Sequence, residues 1–104
     1  MEKISVIIKE PGKNPRHVNI SPTLKNLQNI VGGYIETYTF AEGACIICNE
    51  EGAIEGFPYN TAVAGADFYG TIIFVGTKDE EFADFPMTWD SFKTVFAHCF
   101  DENE

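Results

Sequence analysis

The stretch "SPTLKNLQNIVGGYIETYTFAEGACIICNE", residues 21–50, carries the punctuation that decides the fold. Ser21 can cap the exposed N–H groups of a first helical turn, and Pro22 suits the first helical position, where its missing N–H is not needed. Leu24, Leu27, Ile30 and Val31 fall on one face at helical spacing, and Gly32–Gly33 supply a left-handed stop. Beyond the glycines, "YIETYTF" and "ACIICNE" are rich in β-branched and aromatic residues. Joined by "AEG", they read as a β-hairpin with a tight, glycine-containing loop. A short amphipathic helix running into a hairpin is therefore the organising unit.

On its N-terminal side, "KISVIIKE" and "HVNI" alternate apolar residues around the turn-forming "PGKNPR", which predicts another hairpin. On its C-terminal side, "NEEG" (49–52) marks a turn. The glycine-rich 52–70 segment has no clean period and reads as loop, with a short strand near Ala53–Glu55 and one helical turn after Pro58. "TIIFV" (71–75) is apolar on both faces, as a central strand requires. "GTKDEEFADFP" reads as an acidic, aromatic-spotted connection, a lid or docking loop unless Phe82 and Phe85 tuck onto the core. A final helix starts after Met87 with Thr88 as cap and Asp90 in its first turn. Its stripe is Trp89, Phe92, Val95, Phe96, Cys99 and Phe100, and "DENE" follows as a frayed acidic tail. The order β-β-α-β-β-(β)-β-α predicts an α+β fold: a mostly antiparallel sheet of about five strands with two helices packed on one face. Residues 1–104 read as a single domain, closed by the amphipathic helix and tail over 86–104.

Charge is distributed unevenly. The chain has 7 Lys+Arg against 16 Asp+Glu, a net −9. Residues 1–34 hold five basic and two acidic side chains; residues 35–104 hold two and fourteen. Nucleic acid is not an expected partner, because neutralising phosphates needs clustered Lys and Arg. Lys3, Lys9, Lys13 and Arg16 could still form a local basic patch on the N-terminal hairpin. No apolar run approaches the roughly 20 residues that span a bilayer, and "MEKISVIIKE" is not a signal peptide, so no membrane and a cytoplasmic location are expected. Three cysteines without secretory features point to reduced thiols.

The sequence supports no catalytic assignment. Cys45 and Cys48 are three apart on a strand and point to opposite faces, so they cannot share a metal; His98–Cys99 does not complete a zinc spacing. No metal site or cofactor is assigned. His17 and His98 have no evident partner, and no nucleophile motif or phosphate-cradling loop is present. The distinctive polar residue is Glu36. On a strand it shares a face with Tyr34, Tyr38 and Phe40, and a carboxylate among aromatics can hydrogen-bond a base edge or sugar hydroxyl while a ring stacks on the rings. The plainer alternative is a cross-strand pair with a Lys, or backbone N–H groups accepted at the helix end. Asn49, Glu50 and Asn60 are further polar residues at loop tips, where Asn usually bonds its own backbone.

The ordered motifs "VGGYIE", "CNEEG", "G-x-P-x-N" and "GTIIFVG" over residues 3–76 resemble a domain-of-unknown-function family of small proteins from Gram-positive bacteria, their phages and mobile elements. The resemblance places Gly32, Gly33, Tyr34, Ile35, Glu36, Asn49, Gly52, Pro58 and Asn60 at signature positions. The family carries no assigned activity; its phage association, taken with the residues above, implies a non-catalytic binding protein using Tyr34, Glu36, Tyr38, Asn49, Glu50 and Asn60 on a nucleotide-like small polar ligand, with a homo-oligomer interface as one setting. The alternative it implies is an acidic, DNA-mimicking inhibitor of a host defence protein, carried by residues 79–84 and the tail.

Overall fold

The computed structural model describes residues 2–101. The elements are β1 (Ile4–Lys9), β2 (Arg16–Ile20), α1 (Leu24–Val31), β3 (Ile35–Ala41), β4 (Ala44–Asn49), β5 (Tyr59–Val63), β6 (Ala66–Tyr69), β7 (Ile72–Lys78), β8 (Glu81–Ala83), α2 (Trp89–Val95) and a 3₁₀ turn at Ala97–Cys99. The main sheet runs β2-β1-β7-β4-β3, with β8 also on β7, and β5-β6 form a separate two-stranded sheet. Every pairing among the described strands is antiparallel. The fold is α+β, as the element pattern implied.

β7 is the central strand, and Ile72, Ile73, Phe74 and Val75 are fully buried on it. On one side it pairs with β4. On the other, β1 takes Ile72–Phe74 and β8 takes Gly76–Lys78. The junction of β1 and β8 is closed by two bonds: the Phe85 N–H donates to the Ser5 carbonyl at 2.8 Å, and the Ser5 N–H donates to Asp84 Oδ1 at 2.7 Å.

The helices do not share a face of the sheet, contrary to the expectation from element order. Leu27 and Val31 of α1 pack with Val6, Ile8, Cys45, Ile47, Ile73 and Val75. Phe92 and Phe96, on and just after α2, pack with Ile7, Ile46, Cys48, Ile72, Phe74 and Phe85. Alternate residues of one strand point to opposite faces, so these two sets are the two sides of one sheet. The reason lies in β1, β4 and β7, which are apolar on both faces. Each fully buried Ile or Phe contributes about 1.5–3 kcal/mol, so neither face could be left to water.

Local chemistry corrects several boundaries. The cap of α1 is Thr23, whose Oγ1 accepts the Asn26 N–H at 3.2 Å, so Ser21 and Pro22 lie before the helix. Leu24 is 58 % exposed and leaves the buried stripe. Thr88 caps α2 as expected, accepting the Ser91 N–H at 3.1 Å. The helix ends at Val95, itself exposed, and Cys99 is buried from the 3₁₀ turn. Residues 50–56 form a turn, with Glu55 N–H donating to the Glu51 carbonyl at 2.8 Å, where a short strand was expected. After Pro58 the chain forms β5 and not a helical turn. The acidic connection is β8 and its hairpin, with Phe82 and Phe85 both packed on the core. The tail beyond Asp101 lies outside the described residues.

Candidate functional site

The two glycines after α1 have separate jobs. Gly32 takes φ 82° and caps the helix by donating its N–H to the Gln28 carbonyl at 2.8 Å. At Gly33, a Cβ would meet Asn49 Nδ2 at 2.8 Å, so the missing side chain admits Asn49. Asn49 is buried; its Nδ2 donates to the Val31 carbonyl at 3.3 Å and its Oδ1 accepts the Glu51 N–H at 2.7 Å. The Glu50 N–H donates to the Tyr34 carbonyl at 2.9 Å. Helix end, start of β3 and the 50–56 turn are thereby fastened into one unit.

That unit encloses an open cleft of about 470 Å³, lined by Gln28, Asn29, Gly32, Gly33, Tyr34, Asn49, Glu50, Glu51 and Glu55. Tyr34 is 75 % exposed on its wall, and Ile54 on the same turn is 85 % exposed. Single large side chains are often exposed on proteins, so it is the place of Tyr34 on the cleft wall that bears on function. Across the turn lies a second cleft of about 270 Å³, in which Glu36, Tyr38, Cys48, Asp67, Phe68 and Tyr69 take part.

The six residues singled out in the sequence thus separate. Tyr34, Asn49 and Glu50 meet at the first cleft, with Asn49 serving as its buried brace. Glu36 and Tyr38 line the second. Tyr38 is also a tether: its hydroxyl donates to the Ala64 carbonyl at 3.1 Å and its ring meets Phe68 edge-on at 5.6 Å. Asn60 lies in neither cleft. Its Nδ2 donates to the carbonyls of Lys9 at 2.8 Å and Gly70 at 2.7 Å, joining β5 to the end of β1. Glu36 faces Cys48 across the β3–β4 pair, where a Lys was the plainer expectation.

Sequence reading missed Glu51, Glu55 and Asp67. Glu55 was hidden by reading "AIE" as strand; the usable signal was an Ile among three glutamates and two glycines, a composition suited to an exposed turn. Asp67 is held by Tyr59, whose hydroxyl donates to Oδ1 at 3.1 Å. Desolvation, and then this bond, push the Tyr59 phenol above its ordinary range.

Other chemistry-bearing groups are accounted for by structure. Ser5 Oγ is hydrogen-bonded to His17 Nε2, and His17 stacks on Trp89 at 6.3 Å. This pair ties β1, β2 and α2 together. His98 Nε2 donates to the Ala62 carbonyl at 2.8 Å. The N-terminal basic patch is broken up, since Lys9 is buried with its ammonium donating to the carbonyls of Glu10 and Lys13, and Arg16 pairs with Glu10 at 2.7 Å. Among the described residues, no three His, Cys, Asp or Glu side chains group to hold a metal ion, and no helix is long and apolar enough to cross a membrane.

All three cysteines are free and buried, with Cys45 and Cys48 in the cores on opposite faces of the sheet. Burial pushes the thiols of Cys45 and Cys99 up, and burial followed by the Glu36 carboxylate pushes Cys48 up to about 11. The native state therefore holds these protons more tightly than the unfolded chain does. Stability should be complete below the ordinary thiol value of 9.0 and fall as the pH climbs toward 11. Cys48 alone should account for a loss on the order of 2 kcal/mol. Urea unfolding at about pH 8 and about pH 10.5 checks this, with Cys48→Ala expected to flatten the slope.

Comparison with known proteins adds a family. A family profile described as a domain of unknown function, DUF3846, matches residues 3–97. The chain belongs to the DUF3846 family. The match runs past residue 76, where the motif resemblance ended, and takes in α2, so the face built on Phe92 is part of the DUF3846 domain. No curated protein and no solved structure matches the chain.

Proposed function

We propose that the chain is a binding module whose cleft beside Tyr34 takes a cationic group. The observation that carries this reading is the exposed Tyr34 ring on a cleft that also presents Glu50, Glu51 and Glu55. An aromatic face attracts an ammonium or guanidinium, worth about 0.5–1 kcal/mol at an exposed site, and the carboxylates add the opposite charge. Gln28 and Asn29 supply amides for orientation. A nucleotide-like ligand fits less well, since its phosphates would lie among three carboxylates, a repulsion no side chain of the cleft offsets.

The charge pattern supports the same reading over a wider surface. Between Asn26 and Thr77 the sequence holds no Lys, Arg or His, while Glu36, Glu42, Glu50, Glu51, Glu55 and Asp67 all fall within it. A basic protein surface is thus the natural source of the cation. Blocking such a surface on a host protein is one task the phage-associated resemblance suggests for it.

Titration with spermidine, followed by backbone amide NMR, tests the reading. Shifts are expected at Gly33, Tyr34 and Glu50–Glu55, and the affinity should fall steeply as added salt shortens the screening length. Tyr34→Ala should weaken binding about three- to fivefold and leave the fold intact, because the ring is mostly exposed. Binding of a nucleotide at the cleft with no response to the amine would overturn the proposal.

A further inference from the structure

We infer that the unpaired edge of β3 accepts an extended basic segment of a partner protein as an added strand. This rests on the cationic-partner reading above and names the form in which the partner comes. β3 closes the sheet order on its side, bonded to β4, with no strand of the described residues on its outer edge. A seven-residue edge is a ready template for pairing, and proteins commonly blunt such edges with Lys, Pro or short length. β3, Ile35–Ala41, has no Lys and no Pro, and it is as long as the central strand β7. Its one irregularity lies at its far end, between Thr39 and Ala41. Residues Ile35–Thr39 therefore offer a regular edge for a strand of about five residues, some 17 Å long.

What could lie there follows from charge and from alternation. A second copy pairing edge to edge would bring Glu36 and its acidic surroundings against themselves, which like-charge repulsion opposes. A basic segment meets only attraction. Side chains of an added strand alternate between faces. One set would run beside Glu36 and Tyr38, at the cleft that also holds Asp67. The other would run beside the exposed Thr37 and Thr39. The favoured partner sequence thus alternates Lys or Arg with small or β-branched polar residues, main-chain bonds giving affinity and the alternate cations specificity. The exposed Tyr34, immediately before the strand, would meet a cation at one end of the segment.

A Lys–Thr alternating peptide long enough to span β3 tests the inference on the full chain, with spermidine run in parallel. The peptide should slow hydrogen exchange of outward-facing β3 amides by about tenfold or more. Two forms of the peptide, N-methylated on alternate residues in the two opposite phases, should part company: one loses binding and the other keeps it, because an added strand bonds the edge with every second residue. If the peptide binds while β3 exchange is unchanged and both methylated forms bind alike, strand addition is wrong and the cationic cleft stands. If neither peptide nor spermidine binds, both are wrong.

Discussion

Gly76→Ala should lower the unfolding free energy by more than about 3 kcal/mol, enough to leave a domain of ordinary stability largely unfolded at modest urea. Gly76 lies on β7 between Ala44 of β4 and Ala83 of β8. An added Cβ would sit 2.0 Å from the Asp84 carbonyl oxygen and 3.2 Å from that of Ala83, both backbone atoms. Neither can retreat cheaply. Asp84 accepts the Ser5 N–H, the Phe85 N–H is bonded to the Ser5 carbonyl, and Phe85 is buried under α2. Relief would mean pulling the 83–85 segment off β1 and withdrawing a core ring. Urea unfolding followed by circular dichroism measures the loss; a variant within about 1 kcal/mol of the parent would show that the crossover shifts freely.

Phe74→Ala should cost about 3–5 kcal/mol, the range for removing a fully buried aromatic. Phe74 is 0 % exposed and its ring meets Phe92 at 5.0 Å, Phe96 at 5.2 Å, Phe85 at 6.0 Å and Phe40 at 6.3 Å, all at steep angles. It is the residue through which β7 holds α2, β3 and the 84–86 crossover on one face. The cavity would open at the centre of that cluster, where surrounding strands cannot collapse inward. Thermal unfolding should show a fall of tens of degrees at about 4–8 °C per kcal/mol for a chain of this size. Phe74→Leu should recover much of it, and a loss below about 1.5 kcal/mol would mean that α2 repacks around the gap.

Elements with strong local signals were legible in the sequence. The β1–β2 hairpin, α1 with its Gly32 stop, the β3–β4 hairpin, the central β7 and the Thr88-capped α2 all follow from periodicity and caps, as found. The β5–β6 and β7–β8 hairpins were not. Their two-residue turns use Ala64–Gly65 and Asp79–Glu80, with positive φ at both positions of each. Asn-Gly or Asp-Gly would announce such turns, but here Ala64, Asp79 and Glu80 take the left-handed region without being glycine, between strands that pair directly on either side. The candidate site was legible in part: Tyr34 and Glu50 share a cleft, Glu36 and Tyr38 take the next, and Asn60 holds strands together.

By itself, then, the sequence determined the class of each strongly patterned element, the split between a basic start and an acidic remainder, and the opposed directions of Cys45 and Cys48. These depend on residues near one another along the chain, whose spacing alone sets a helix face or a strand face. Only the tertiary structure decided that the helices cover opposite faces of the sheet, that Gly33 exists to admit Asn49, and that three glutamates from one turn gather beside Tyr34. Each of those follows from which surfaces must be buried together and which backbones must pass within van der Waals distance. Such requirements join residues far apart in sequence and leave no period to read.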